Sequence, residues 1–135
     1  MDVLITAEAK REIEALAAFR PRAGAWGVLV GHRRGPLVIV EKIAAGGGPE
    51  TAPDAGALAA FDGIWPGRIV GLAAVRPGAA FRRAVLGPAW YGKAVLVLEG
   101  RSRTPALSPR VVEFERRFFL GPARLAPAGK EKTHE

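Results

Sequence analysis

Val70-Gly71-Leu72-Ala73-Ala74-Val75-Arg76-Pro77-Gly78 is the stretch from which the fold is read. Its apolar and small residues run on without the alternation of a half-exposed strand, so it reads as a strand buried on both faces that passes into a Pro-Gly loop. The strand begins at Arg68, just after Pro66-Gly67. Towards the N-terminus, Leu58 to Trp65 reads as a short helical or irregular piece. Ala44 to Gly56, with Gly46-Gly47-Gly48-Pro49, has no apolar periodicity and reads as a flexible loop. Trp26 to Gly31 and Pro36 to Ile43 are apolar runs on either side of a His32-Arg33-Arg34-Gly35 turn and predict a β-hairpin. Val3 to Thr6 predicts a first strand, with Thr6 capping an amphipathic helix from Ala7 to Phe19 that Arg20-Pro21 stops. Towards the C-terminus, Pro77 to Tyr91 is irregular with one helical turn around Phe81 to Leu86. Ala94 to Glu99 is a further buried strand, and Val111 to Leu120 a strand with one wet face. A single domain over residues 1–120, followed by a flexible basic and polar tail over 121–135, accounts for this order.

The order is α/β with a mixed sheet, and with segment 70–78 it resembles the JAMM/MPN (Mov34/PAD1-like) family from Val3 to Leu120. Members begin with a short strand and a long helix and continue into a hairpin whose first strand looks like Gly27-Val28-Leu29-Val30-Gly31. Their metal-binding strand reads Val-Gly-aromatic-aromatic-His-Ser-His-Pro, with Ser-x-x-Asp a few residues later. The resemblance implies a mixed β-sheet flanked by helices in JAMM/MPN-like (cytidine-deaminase-like) layers. It also implies that the positions of a zinc site are Ala74, Arg76, Ala84 and Gly87, none of which can ligate a metal. The family's general base precedes the first hairpin strand, where Arg22-Ala23-Gly24-Ala25-Trp26 has no acid. A zinc hydrolase needs about three protein ligands and a base, so the expectation is a pseudoenzyme without cofactor or metal. Family domains often pair. The implied role is a structural or protein-interaction module, as a homodimer or beside an active partner.

Charge offers the alternative. The chain carries a formal +7, and Gly63 to Val112 alone holds eight bases (Arg68, Arg76, Arg82, Arg83, Lys93, Arg101, Arg103 and Arg110) against one acid, Glu99. Such a stretch suits an acidic partner, nucleic acid among them. Arg76, Arg82, Arg83, Arg101 and Arg103 are the candidate residues for anion or partner binding, Arg76 because a guanidinium in the degenerate slot can receive a carboxylate. Trp65, Phe81, Trp90 and Tyr91 interleave with these bases, either as stacking platforms or as core and interface residues.

Without cysteine there is no disulfide, thiolate metal site or cysteine nucleophile. The histidines are His32 and His134, and the serines Ser102 and Ser108, none in a catalytic context. Asp54 and Asp62 read as helix caps or solvated residues. Met1-Asp2-Val3-Leu4 lacks a basic and apolar leader, and no apolar run reaches the roughly 20 residues of a membrane span, so a cytoplasmic protein is expected.

Overall fold

The computed structural model describes residues 1–19, 24–48, 50–99 and 106–126. Eight strands form one sheet: β1 (Asp2–Ile5), β2 (Trp26–Arg34), β3 (Leu37–Gly47), β4 (Ile69–Val75), β5 (Ala94–Glu99), β6 (Ala106–Glu115), β7 (Arg117–Pro122) and β8 (Arg124–Leu125), in the order β7-β6-β5-β4-β2-β3-β1-β8. The helices are α1 (Ala7–Phe19), α2 (Ala55–Ile64) and α3 (Ala79–Val85), with a 3₁₀ turn at Pro88–Trp90. Every residue of β4 is buried, as its unbroken apolar run requires of a central strand. It lies antiparallel to β2 and parallel to β5, and α3 with the 3₁₀ turn makes the crossover between β4 and β5.

The two faces of the sheet bury separate clusters. On one, Ala9, Ile13 and Leu16 of α1 pack with Val3, Val40 and Leu96 from the strands. Thr6 supplies the helix cap, its hydroxyl accepting from the Ala9 amide at 3.1 Å. On the other, Trp26, Leu72, Phe81, Val85, Trp90 and Val95 pack together, and Leu58 and Phe61 of α2 cover them. Asp54 caps α2 by accepting from the Ala57 amide at 2.9 Å, and the Asp62 carboxylate accepts from the Gly67 amide at 3.1 Å.

The expectation of α/β layering, a mixed sheet flanked by helices in the JAMM/MPN manner, is corrected. Strands dominate the chain, and the sheet curls round the α1 cluster until β8 comes into contact with β6, giving a nearly closed, barrel-like wall. The physical reason is sheet width. Val111 to Leu120, expected to be one strand, is a hairpin that turns at Arg116, and β3 runs on to Gly47 into the expected loop. Residues 121–126 complete β7 and form β8, which pairs with β1, whereas residues 127–135 lie outside the described residues. A sheet widened in this way accumulates right-handed twist and rolls towards closure.

Candidate functional site

The positions that the JAMM/MPN resemblance assigns to a metal site fall on β4, on α3 and on the links that follow each. Ala74 is fully buried in β4, opposite Trp26 and Val97. Arg76 follows β4 directly, at φ 42°, with its amide bonded to the Leu98 carbonyl at 3.0 Å. That backbone conformation is uncommon for a side chain of this size. Ala84 lies on α3, and Gly87 links α3 to the 3₁₀ turn. Arg76 lines an open hollow of about 280 Å³ with Gly24, Thr51, Gly78 and Phe81, and Arg82 and Arg83 are exposed in the last turn of α3. Among the described residues no group of three or more His, Asp or Glu could hold a metal ion.

The basic stretch does not form one uniform face. Arg68 is held by Glu41, and the half-buried Lys93 donates to the Ile69 carbonyl at 3.1 Å, its ammonium pulled below the ordinary lysine range by burial. Arg101 and Arg103 lie outside the described residues.

One polar constellation forms only through the register of paired strands. His32, expected in a hairpin turn, lies on β2, and its Nδ1 is 3.1 Å from Glu41 Oε1. The register of β2 and β3 steps from Val30–Lys42 to Gly31–Val40, leaving Glu41 as the extra residue of a β-bulge. Bulges re-aim side chains, and this one brings the carboxylate to Arg68, whose Nη2 donates to Glu41 Oε1 at 2.6 Å and whose Nε donates to the Gly31 carbonyl at 2.7 Å. The cluster ties β2, β3 and the start of β4 together across two register shifts. An imidazole held by a carboxylate is half of a nucleophile-activating arrangement. No serine of the described residues belongs to the cluster, and we read it as a structural clamp.

Its pH behaviour follows. The His32 hydrogen bond, then the Arg68 contact, hold the Glu41 carboxyl below the ordinary glutamate range. A carboxyl whose folded pKa is depressed adds stability that is complete above its unfolded pKa and lost as pH falls through the folded value. Wild-type stability is therefore expected to fall faster than that of Glu41→Gln on acidification below the usual glutamate pKa. Urea midpoints measured from pH 6 down to pH 3 check this, and parallel profiles would remove the clamp.

The least expected surface is apolar. The 3₁₀ turn points Trp90 inward and leaves Tyr91 59% exposed, while Phe114 on β6 is 54% exposed. Phe114 pairs with Phe118 of β7, their ring centroids 4.8 Å apart, and Phe118 meets Tyr91 edge to face at 6.3 Å. With Pro88 they line an open cleft of about 390 Å³. Strand alternation places Glu113 and Glu115 on the opposite face of the hairpin. Of the aromatics expected to interleave with arginine, only Tyr91 belongs here, since Phe81 and Trp90 are core and Trp65 stacks on Phe61. The missing signal was the turn. Phe114 and Phe118 become neighbours only if the chain reverses at Arg116.

No family model matches this chain, and no curated protein does. Among solved structures it is similar to the protein DSY2949 of Desulfitobacterium hafniense, with a TM-score of 0.65, 16% sequence identity and 92% of each chain covered. At that identity the likeness carries the fold alone, and it does so over nearly the whole chain. No helix among the described residues is long and apolar enough to cross a membrane.

Proposed function

We propose that this chain is a protein-interaction module without catalytic activity, acting in the cytoplasm. The observation that carries the reading is the cleft of Pro88, Tyr91, Phe114 and Phe118, where two large aromatic side chains stand more than half exposed beside the edge of the sheet. Clustered, solvent-facing aromatics cost solubility, and rigid aromatic anchors of this kind dominate protein interfaces.

The test compares the tagged wild type with the Tyr91→Ala/Phe114→Ala double variant in capture from the native lysate, with and without nuclease. Both side chains are exposed, so the variant is expected to unfold within a few degrees of wild type. It is expected to lose most of the protein that survives nuclease treatment on wild type. Material that nuclease removes and the double variant retains would instead favour an anionic polymer on Arg76, Arg82 and Arg83, where the hollow lies beside the exposed bases of α3. Stoichiometric zinc with peptide or isopeptide cleavage would overturn both readings.

A further inference from the structure

Strand β7 is the end strand of the sheet, and among the described residues no strand pairs with its outer edge. The direction of its free groups follows from its neighbour. Val112 of β6 uses both its amide and its carbonyl towards β5, bonding to Lys93 and Gly92, so Val111, Glu113 and Glu115 bond towards β7. Their partners Gly121, Phe119 and Arg117 bond inward, which leaves the amides and carbonyls of Phe118 and Leu120 pointing out. Pro122, the next outward position, has no amide. The open edge is therefore short and centred on Phe119.

A second feature lies on the same strand. Gly121 is buried although it belongs to an edge strand, because the Glu113 carboxylate lies where a Gly121 side chain would be. A Cβ there would overlap Glu113 Oε2 and approach Cδ to 2.7 Å. Among the described residues Glu113 and Arg117 take part in no ion pair.

We propose that β7 pairs with β7 of a second copy of this chain, antiparallel about a two-fold axis at Phe119. The inference rests on the interaction-module reading and names the partner as a second copy. In this register Phe118 lies opposite the partner's Leu120, so the only outward amides and carbonyls near the centre satisfy one another. Arg117 lies opposite the partner's Gly121 and hence against the partner's Glu113 carboxylate. Directly opposed residues have Cβ positions about 5 Å apart, well within the reach of a guanidinium. Symmetry makes the ion pair twice. Because opposed residues share a face, Phe118 and the partner's Leu120 extend the aromatic patch into one apolar strip across both copies. The charges choose this register over its neighbours, since a slip by two residues moves Arg117 off the carboxylate and brings Pro122 into the ladder.

Trans-complementation of charge tests it, read by sedimentation equilibrium of the purified full chain. Wild type is expected to dimerise. Arg117→Glu and Glu113→Arg, each alone, set like charges against each other at both contacts and are expected to weaken the dimer by about tenfold or more. Mixed one to one, the two variants restore a glutamate facing an arginine at both contacts, with the signs exchanged at one of them, and a heterodimer of wild-type strength is expected. Wild type that sediments as a monomer at every concentration overturns the proposal, as does a mixture no tighter than its components. Either result leaves the edge to a strand of a different protein, and the aromatic double variant then still decides whether the interaction-module reading stands.

Discussion

Replacing Trp90 with alanine is expected to lower the unfolding free energy by about 3–5 kcal/mol, the usual cost of removing a large aromatic side chain from a core. Trp90 is 1% exposed and heads the fully buried side chains by volume. It packs among Leu72, Phe81, Val85 and Val95, where β4, α3 and β5 meet. The indole also has a polar duty, since Nε1 donates to the Pro53 carbonyl at 2.7 Å and so ties the segment before α2 to the sheet. Alanine leaves both a cavity and an unsatisfied carbonyl. Trp90→Phe separates the two, because it keeps most of the volume and loses only the hydrogen bond, with an expected cost nearer about 1–3 kcal/mol. Domains of this size are stable by about 5–15 kcal/mol, so the alanine variant stands at the margin of folding. Urea midpoints at an unchanged denaturant slope measure both values. A loss below about 1 kcal/mol for Trp90→Ala would mean that the indole is not packed as described.

The second large effect needs only one added methyl group. Gly71 sits in the middle of β4, paired with Leu29 of β2 on one side and Ala94 of β5 on the other. A Cβ at this position would overlap the Ala94 carbonyl oxygen and lie 2.8 Å from its carbon and 3.1 Å from its nitrogen. These are backbone atoms, and Ala94 is pinned in turn by pairing with Val111. No rotamer change can make room. Gly71→Ala is expected to destabilise by about 3 kcal/mol or more, the upper range of overpacking costs. Gly63→Ala gives the opposite sign. Gly63 lies in α2 with nothing within 4 Å of its would-be Cβ, so alanine there should stabilise by about 0.5–1 kcal/mol through helix propensity. The pair of thermal melts distinguishes a close approach of strands from a general preference for alanine.

Gly71 also marks what the sequence could tell. The segment from Val70 to Val75 announced a doubly buried strand, and Trp26 to Gly31, Ala94 to Glu99 and the helix after Thr6 were equally plain, because each carries an uninterrupted apolar run or a cap at its proper end. The breadth of the sheet was not plain. Ala44-Ala45-Gly46-Gly47 extends β3 on residues that favour no strand, since its neighbour β2 supplies the hydrogen bonds. The reversal at Arg116 carries no Gly, Pro or Asn to signal it; arginine takes φ 67° there under the pull of the pairing on either side. A hairpin thus passed for one strand, and the aromatic patch that depends on it stayed hidden. The Glu41 clamp was hidden for a related reason. A bulge is a mismatch between two strands, and neither strand's sequence records it alone.

The pairing of β1 has a consequence in time. This strand lies between β3 and β8, both parallel to it, and its outer flank is closed by Asp2 gripping Arg124 through contacts of 2.9 and 3.1 Å, 122 positions along the chain. On a ribosome, residues 2–5 emerge well before residues 124–125, the last described residues to join the sheet, and their outer edge stays uncovered in between. Contacts so distant in sequence slow folding, because a long loop must close before any reward is gained. Until then β1 can pair with β3 but keeps one edge open.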